Sequence, residues 1–330
     1  MKPQKWGIIG TGSAARDFAK DIRLINNSDQ RIHAVLGHTE QTTIKFANDF
    51  QVEREFMDLD EFINSAEIDI VYIASPHTLH YEQVIACLKK KIPVLCEKPL
   101  AINAAQGIEL IDTAKINNTF LMEGMWLRFL PSIKKLVELV NAGKIGNIIS
   151  VKAAVSYKAP HDEKSRYFDP DLGGGSLLDL GIYPVFLALL ILGKPDTIKA
   201  VGSLSEKGID ESCSVLFHSK NGQHAILESS LVTQIEESAE IIGEKGSIKI
   251  LNPWFEKTGG IELSLYNEEK MTFPFNWKGR GFQFEIEEVL QCIEENKIAS
   301  DLFPHDFSLN LLMLMDEIRS QLHVVYEVDE

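Results

Sequence analysis

The sequence predicts an α/β protein with two domains. Strand and helix patterns alternate from the N-terminus to residue 122, which is typical of a doubly wound parallel sheet. From residue 123 to residue 330 the pattern changes, and a run of adjacent strands between 198 and 266 precedes two helices. This run predicts an α+β domain with an open, mostly antiparallel sheet.

Charge and cysteine content narrow the classes of protein that the sequence can represent. The formal net charge is -15 at pH 7, which disfavours nucleic acids and anionic membranes as partners. The four cysteines lack the close spacing of a zinc site or a redox motif, so we expect reduced thiols and a cytoplasmic location. The chain starts without a signal-peptide pattern, and its longest apolar stretch, 184–192, is too short to span a bilayer.

A glycine-rich loop follows the first strand of the chain. The apolar segment 6–9 leads into Gly-Thr-Gly-Ser-Ala-Ala, and a helical pattern continues to about residue 25. This is the G-x-G-x-x-A pattern of dinucleotide-binding (Rossmann) domains: Gly10 permits a tight turn, Gly12 lets the backbone approach a pyrophosphate, and Ala15 allows close packing of helix on strand. The predicted cofactor-binding residues of this loop are Gly10, Thr11, Gly12, Ser13 and Ala14.

The loop after the second strand normally decides between NAD and NADP. An acidic residue there binds the ribose 2′-hydroxyl of NAD, whereas small or basic residues admit the 2′-phosphate of NADP. The strand 31–36 is followed by Gly37, His38 and Thr39, and no acid occurs before Glu40. We therefore expect NADP, with NAD as the alternative, and assign these three residues to cofactor binding.

The strand 68–74 ends in a segment that should face the same crevice. Ser75, Pro76 and His77 are predicted to contact the cofactor, because ligands of open α/β sheets bind at the carboxyl ends of the strands. His80 is predicted to form a hydrogen bond with substrate. His77 and His80 could share one helical face, but no third ligand is evident nearby, so no metal site is expected.

The apolar strand 92–96 ends in Glu97, Lys98 and Pro99. Because proline cannot continue a central ladder, the acid and the base lie at the carboxyl end of a parallel strand. A lysine in that position can be desolvated and can polarise a substrate oxygen. Glu97 is expected to orient the cofactor ribose or its own strand end.

Aromatic and basic residues occur where the first domain ends. The segment 123–131 contains Trp126, a candidate for substrate binding, and Arg128, a candidate for cofactor binding. The alternative for both residues is packing at the junction between the domains. Tyr157, at the end of a predicted strand, is a further candidate for the substrate pocket.

Three glycines at 173–175 lead into a helix that carries an acid and a tyrosine. Asp179 and Tyr183 are four residues apart, so both project from one helical face. Gly181 lies between them, and glycine in a helix interior costs about 1 kcal/mol relative to alanine. A neighbour that packs closely against the helix would explain this glycine.

These motifs, taken in order, resemble the glucose–fructose oxidoreductase / inositol dehydrogenase (Gfo/Idh/MocA) family along nearly the whole chain. The junction Met-Trp-Leu-Arg-Phe-Leu-Pro and the helix sequence Leu-Asp-Leu-Gly-Ile-Tyr-Pro are most similar to the branch of dimeric dihydrodiol dehydrogenase and NADP-dependent D-xylose dehydrogenase. Inositol-dehydrogenase-like members carry a histidine where Tyr183 stands, which favours this branch. NADP-dependent members usually carry Ser-Arg or Ala-Arg where Gly37 and His38 stand here.

The resemblance implies an NAD(P)-dependent dehydrogenase that transfers a hydride between nicotinamide and a carbinol carbon of a sugar or cyclic diol. Tyr183 would be the acid/base on the reacting hydroxyl, and Lys98 would stabilise the phenolate or carry the proton itself. Asp179 would bind a neighbouring substrate hydroxyl or hold Lys98. A keto- or anhydro-sugar reductase and a non-catalytic NAD(P)-binding sugar sensor are the alternatives. The open sheet face predicts a homodimer or a higher homo-oligomer.

Overall fold

The computed structural model describes residues 3–25, 30–65, 67–160 and 165–329. The chain forms two compact units, one of Met1–Phe129 with Lys278–Leu309 and one of Leu130–Trp277 with Asn310–Glu330. The predicted fold class is confirmed, because one sheet is parallel and the other is mixed and mostly antiparallel. The predicted domain boundary at residue 123 differs from this division, since the segment Lys278–Leu309 returns to the first unit.

The strands and helices are numbered in chain order. The strands are β1 (Lys5–Ile9), β2 (Arg31–Leu36), β3 (Arg54–Phe56), β4 (Ile70–Ile73), β5 (Val94–Glu97), β6 (Leu121–Gly124), β7 (Ile148–Ser156), β8 (Thr197–Leu204), β9 (Asp210–His218), β10 (His224–Ser230), β11 (Ser238–Gly243), β12 (Gly246–Ile250), β13 (Gly260–Leu265) and β14 (Met271–Pro274). The helices are α1 (Ser13–Asp21), α2 (Glu40–Phe50), α3 (Leu59–Ser65), α4 (His80–Lys89), α5 (Ala104–Asn117), α6 (Pro131–Asn141), α7 (Ile182–Leu192), α8 (Phe282–Glu294) and α9 (His305–Leu322).

The first unit contains a six-stranded parallel sheet in the order β3-β2-β1-β4-β5-β6. All four residues of β4 are buried, as expected for a strand covered on both faces. The order reverses direction beside β1, so the ligand crevice of this fold lies at the carboxyl ends of β1 and β4. The edge strand β3 was not predicted, because three residues are too few to establish an alternating pattern.

A buried acid ties the returning segment to the first unit. The Oδ2 atom of Asp21, at the end of α1, accepts hydrogen bonds from the backbone N–H groups of Arg280, Gly281 and Phe282 at 2.8, 2.8 and 3.1 Å. These are donors at the start of α8, where no intrahelical acceptor exists. One carboxylate therefore caps a helix that lies about 260 positions away in the sequence.

The second unit contains an eight-stranded sheet in the order β14-β13-β12-β11-β7-β10-β9-β8. Only the pair of β7 and β10 is parallel, and the other pairs in this sheet are antiparallel. The predicted run of strands between 198 and 266 is present as β8 to β13, and the two predicted helices follow as α8 and α9. Strand β14 lies between β13 and α8 and was not predicted.

Helix α7 packs against the inner face of this sheet. The stretch Pro170–Leu192 is long and apolar enough to cross a membrane, but 83% of its most apolar window is buried inside the protein. Burial of this kind is typical of a core helix. On the sheet's other face, apolar side chains remain exposed, among them Val201, Leu216 and Ile226.

Candidate active site

The glycine loop between β1 and α1 has the geometry of a pyrophosphate site. Gly10 has a φ of +107°, and an added Cβ would lie 2.3 Å from the carbonyl oxygen of Ala74, so no other residue fits. An added Cβ on Gly12 would have no atom within 4 Å, which leaves open space before the helix. Gly12 is the N-cap of α1 and provides no capping side chain, so the first N–H groups of α1 can bind an anionic group. The residues present therefore fit a dinucleotide cofactor.

The loop after β2 packs tightly against α2 at Gly37 and is exposed to solvent at His38 and Thr39. An added Cβ on Gly37 would lie 2.0 Å from the Oγ1 atom of Thr43, so this position also requires glycine. Thr39 is the N-cap of α2 and accepts a hydrogen bond from the N–H of Thr42 at 3.4 Å. His38 and Thr39 are exposed, and their side chains can reach a group placed at the start of α2.

His80, which was predicted to form a hydrogen bond with substrate, lies between two loops of the first unit. Its ring is fully buried, with Nδ1 2.8 Å from the carbonyl oxygen of Pro99 and Nε2 3.1 Å from that of Ser75. Burial lowers its pKa to about 4, so the neutral ring donates to one of the two carbonyls. These contacts favour a role in holding two loops together over the predicted hydrogen bond with substrate.

The other residues after β4 also make contacts inside the first unit. The hydroxyl of Ser75 donates to the Oε1 atom of Gln83 at 2.6 Å. Pro76 precedes a short 3₁₀ turn, and the buried ring of His77 lies 5.7 Å from the ring of His80. Across the described ranges, no three His, Cys, Asp or Glu side chains group closely enough to hold a metal ion.

Lys98 lies in a loop that is held from two sides. Its side chain is buried, with 8% of the residue exposed. On one side His80 contacts the carbonyl oxygen of Pro99, and on the other the N–H of Leu100 donates to the Oε1 atom of Glu123 at 3.0 Å. The backbone around Lys98 is therefore fixed by two buried side chains from α4 and β6.

Glu123 is itself an unusual acid. Burial raises the pKa of its carboxyl group to about 7, and the charge of Lys98 and the hydrogen bonds from Ser308 and Leu100 lower it only in part. Glu97 raises it further. Its second oxygen, Oε2, has no hydrogen-bond partner among the described residues. This carboxyl group therefore titrates near neutral pH. It contacts the loop of Lys98, because it accepts a hydrogen bond from the N–H of Leu100, two residues after Lys98.

Glu97 is oriented by a tyrosine on the neighbouring strand. The hydroxyl of Tyr72 donates to its Oε1 atom at 2.6 Å, and the ring of Tyr72 stacks on Phe18 with a centroid separation of 3.9 Å. Glu285 on α8 is fully buried near this pair and has no partner for either oxygen within the described part of the chain. Burial, followed by the charges of Glu97 and Asp21, raises the pKa of Glu285 well above its usual value, which favours the neutral form of this acid.

Trp126 and Arg128 lie on a 3₁₀ turn after β6. The ring of Trp126 is 5.1 Å from that of Phe282, and its indole N–H is buried without a partner among the described residues. The Nε atom of Arg128 donates to the carbonyl oxygen of Leu302 at 3.0 Å. Both side chains thus pack within the first unit.

In the second unit, the three-glycine turn leads into a π-helical turn, Leu177–Gly181, before α7. Asp179 lies in this π turn and Tyr183 is the second residue of α7. An added Cβ on Gly181 would lie 2.9 Å from the Oγ atom of Ser229 on β10. The close neighbour that the sequence predicted for Gly181 is thus the sheet, and π turns occur frequently at functional sites.

Asp179 is held by an arginine that the sequence analysis did not single out. Both terminal nitrogens of Arg166 lie 3.1 Å from the Oδ1 atom of Asp179, whose side chain is 9% exposed. The guanidinium also lies 4.3 Å from the centre of the Tyr167 ring, which is 5.5 Å from the ring of Tyr157. Asp179, Arg166, Tyr167 and Tyr157 therefore form one polar and aromatic cluster. Tyr183 is buried against a different aromatic residue, Phe255, with a ring separation of 5.2 Å.

The parallel sheet, its reversal beside β1 and the glycine loop before an uncapped helix define the first unit as a dinucleotide-binding domain. With a buried lysine at the carboxyl end of β5 and a second α+β unit, the architecture is that of a nicotinamide-dependent oxidoreductase.

The chain belongs to the Gfo/Idh/MocA family of oxidoreductases. A model of the oxidoreductase family's NAD-binding Rossmann fold matches residues 4–125, and a model of the GFO/IDH/MocA C-terminal domain matches residues 133–249. The chain is 32% identical over 331 residues to the trans-1,2-dihydrobenzene-1,2-diol dehydrogenase of Xenopus tropicalis, covering 98% of this chain and 99% of that protein. The Homo sapiens protein of that name is 29% identical over 336 residues, covering 99% of each chain. The predicted family is confirmed.

Solved structures share the fold over nearly the whole chain. An aldose–aldose oxidoreductase from Caulobacter crescentus, complexed with glycerol, has a TM-score of 0.87 at 22% identity and covers 97% of this chain and 98% of its own. A levoglucosan dehydrogenase in complex with NADH and levoglucosan has a TM-score of 0.86 at 18% identity, with 98% of each chain covered. A 3-ketoreductase from Actinomadura kijaniata, in complex with NADP, has a TM-score of 0.84 at 21% identity, covering 97% and 98%.

Proposed function

We propose that this oxidoreductase transfers a hydride between NADP and the carbinol carbon of a cyclic diol or a sugar. The observation that carries the proposal is the full-length similarity to trans-1,2-dihydrobenzene-1,2-diol dehydrogenases. A trans-diol on a six-membered ring and a pyranose sugar both present neighbouring hydroxyl groups on a ring. We therefore take these two substrate types as one class.

Three side chains would manage the proton and the substrate hydroxyls. A bound nicotinamide would supply the hydride acceptor or donor. Tyr183 would hold or release the proton at its hydroxyl oxygen as the substrate oxygen changes between alcohol and carbonyl. The ammonium of Lys98, on its fixed loop, would stabilise the negative charge that develops on oxygen. Asp179, oriented by Arg166, would accept a hydrogen bond from the neighbouring substrate hydroxyl.

The cofactor and substrate contacts follow from the loops at the carboxyl ends of the strands. The loop after β2, with exposed His38 and Thr39 and no acid before Glu40, supports NADP over NAD. The buried indole N–H of Trp126 and the exposed ring of Tyr157 would contact the substrate, and Glu97 would orient the cofactor ribose. The other residues proposed to contact the cofactor are Gly10, Thr11, Gly12, Ser13, Ala14, Gly37, Ser75, Pro76, His77, Lys98 and Arg128.

We further propose that the protein acts as a homodimer in the cytoplasm. The outer face of the eight-stranded sheet exposes several apolar side chains, and Val201 in particular is 70% exposed. An apolar face of this kind is normally covered by a second subunit. Sedimentation equilibrium of the parent protein and of Val201→Lys tests this, because a charge in this exposed apolar face should shift the mass toward a monomer.

The substrate proposal is tested by the absorbance change of the nicotinamide. The protein is mixed with NADP or NAD and a panel of trans-1,2-dihydrobenzene-1,2-diol, D-xylose, other aldoses and inositols. The reduced cofactors are mixed with keto- and anhydro-sugars. Turnover of the diol or an aldose with NADP is the expected result. Turnover only with NAD and an inositol would overturn the cofactor and substrate assignment. Tight cofactor binding without turnover would favour a sensor, and faster reaction of the reduced cofactors would favour a reductase.

A further inference from the structure

A second buried acid lies under the three-glycine turn of the second unit. Asp210, the first residue of β9, is fully buried. Its Oδ2 atom accepts hydrogen bonds from the hydroxyl of Ser176 and from the N–H of Leu177, each at 2.7 Å. These two donors belong to the residues that begin the π turn. The acid therefore binds the start of the helix, although it lies more than thirty positions away in the sequence.

The backbone of the three-glycine turn also passes very close to Asp210. Gly175 has a φ of +118°, and an added Cβ would lie 2.6 Å from the Oδ1 atom of Asp210. The hydroxyl of Tyr326 lies 3.2 Å from the same Cβ position and donates to the carbonyl oxygen of Gly174. A strand and the C-terminal segment thus both contact the turn, and glycine is required where they approach it.

The helix that begins in this turn carries the two proposed active-site residues of the second unit. Asp179 is two residues after Leu177, within the same π turn, and Tyr183 follows at the start of α7. A shift at the first turn would therefore move both side chains. A displacement of about 1 Å in a reacting group can reduce a rate about a hundredfold.

We propose that Asp210 is a positioning residue, whose carboxylate fixes the turn before α7 and through it the side chains of Asp179 and Tyr183. This inference rests on the proposed function for the roles of these two residues. The contact between the carboxylate and the turn does not depend on that function.

Ionisation of Asp210 should make this positioning depend on pH. Burial raises its pKa to about 6, and the bonds from Ser176 and Leu177 lower it only in part. The titratable groups that face it are the thiol of Cys213 on β9 and the phenol of Tyr326, and burial raises the pKa of both, so they stay neutral. On β10, the Oγ atom of Ser229 lies 3.0 Å from the hydroxyl of Ser176, which itself donates to Asp210. Hydrogen bonds to a carboxylate are about twice as strong as those to a neutral acid, so the turn is held more firmly above pH 6.

The experiment compares Asp210→Asn, Asp210→Ala and a control, Asp196→Asn. Asparagine keeps an acceptor for the two donors but cannot ionise, whereas alanine removes the acceptor. Asp196 also accepts a hydrogen bond from a backbone N–H, that of Lys220 at 2.8 Å, but in an exposed turn beyond the C-terminal end of α7. Backbone hydrogen exchange of residues 174–183 and kcat with trans-1,2-dihydrobenzene-1,2-diol and NADP are measured between pH 5 and pH 8.

In the parent protein, hydrogen exchange in this segment, corrected for the intrinsic rate, should be slower at pH 8 than at pH 5. Its kcat should rise as the pH increases through about 6. Asp210→Asn should exchange about tenfold faster than the parent at pH 8, match it at pH 5, and lack that rise in kcat, with KM for NADP unchanged. Asp210→Ala should exchange faster at both pH values, and Asp196→Asn should behave as the parent. Identical exchange and pH profiles for the parent and Asp210→Asn would overturn the proposal. If the parent turns over nothing on the panel, the proposed function fails, and the exchange data alone decide whether Asp210 holds the turn.

Discussion

Replacing Glu123 by glutamine should make the protein more stable at pH 8 and leave its stability at pH 5 nearly unchanged. The carboxyl group has its pKa raised from 4.5 to about 7 by burial, and a pKa difference of one unit is worth about 1.4 kcal/mol. The cost of ionising this group in the folded state is therefore about 3 kcal/mol. Because the group is 1% exposed, solvent screening does not reduce this figure greatly.

Whether stability rises or falls with pH depends on which state, folded or unfolded, binds the proton more tightly. A carboxyl group whose pKa is higher in the folded than in the unfolded state favours folding at low pH. This contribution is lost as the pH rises from 4.5 through about 7. Glutamine cannot ionise, and its amide oxygen can still accept the N–H of Leu100, so the variant should keep the contribution at all pH values.

The assay is urea unfolding of the parent, of Glu123→Gln and of the matched control Glu55→Gln, followed by circular dichroism at pH 5 and pH 8. Glu55 is exposed on β3, so its replacement should change the free energy of unfolding by less than about 0.5 kcal/mol at either pH. The difference between Glu123→Gln and the parent should grow by about 2.5 kcal/mol between the two pH values, because pH 5 already lies slightly above the unfolded-state pKa of 4.5. The reasoning is refuted if this difference is the same at pH 5 and pH 8.

Three other substitutions test the geometry of the site. Gly10→Ala places a Cβ against a backbone carbonyl at a positive φ, so NADPH affinity, measured by fluorescence titration, should fall at least about tenfold. Gly181→Ala places a Cβ 2.9 Å from the Oγ atom of Ser229, so urea unfolding should show a loss of about 1–2 kcal/mol that Ser229→Ala partly restores; an increase in stability would contradict the packing. Arg166→Met should lower kcat/KM about tenfold or more because Asp179 loses both N–H donors, and Arg166→Lys should recover only part; equal rates for parent and Met variant would exclude this role.

The repeating patterns of the sequence were sufficient to predict the sheets and the positions of the loops. Periodicity places every strand except β3 and β14, and the residue types at the carboxyl ends of β1, β4 and β5 follow from the rule that open parallel sheets bind ligands there. The glycine at 181 was correctly interpreted as a close contact, because its cost in a helix demanded a packing reason.

The residues that hold these loops could not be found from local pattern. Asp21, Glu123 and Asp210 each accept hydrogen bonds from backbone groups that are distant in the sequence, so only the folded chain brings the partners together. Arg166 lies in a charged segment where one arginine does not differ from its neighbours by type. His80 was assigned to substrate binding because it follows the end of a strand. Its contacts with two backbone carbonyl groups form only in the folded chain, so the sequence pattern could not indicate them.

The most direct test of the proposed mechanism is the turnover of two variants, Lys98→Met and Tyr183→Phe. Turnover is measured by the nicotinamide absorbance with the best substrate of the panel. Tyr183→Phe should bind NADPH as the parent does, and Lys98→Met, which removes a proposed cofactor contact, is assayed at saturating NADP. The free energy of unfolding of each variant in urea should stay within about 1 kcal/mol of the parent value. Their kcat should fall at least about a hundredfold, as is usual when an acid/base or an electrostatic group is removed. If both variants fold, bind cofactor and keep near-parent turnover, neither residue manages the charge or the proton, and the proposed mechanism is wrong.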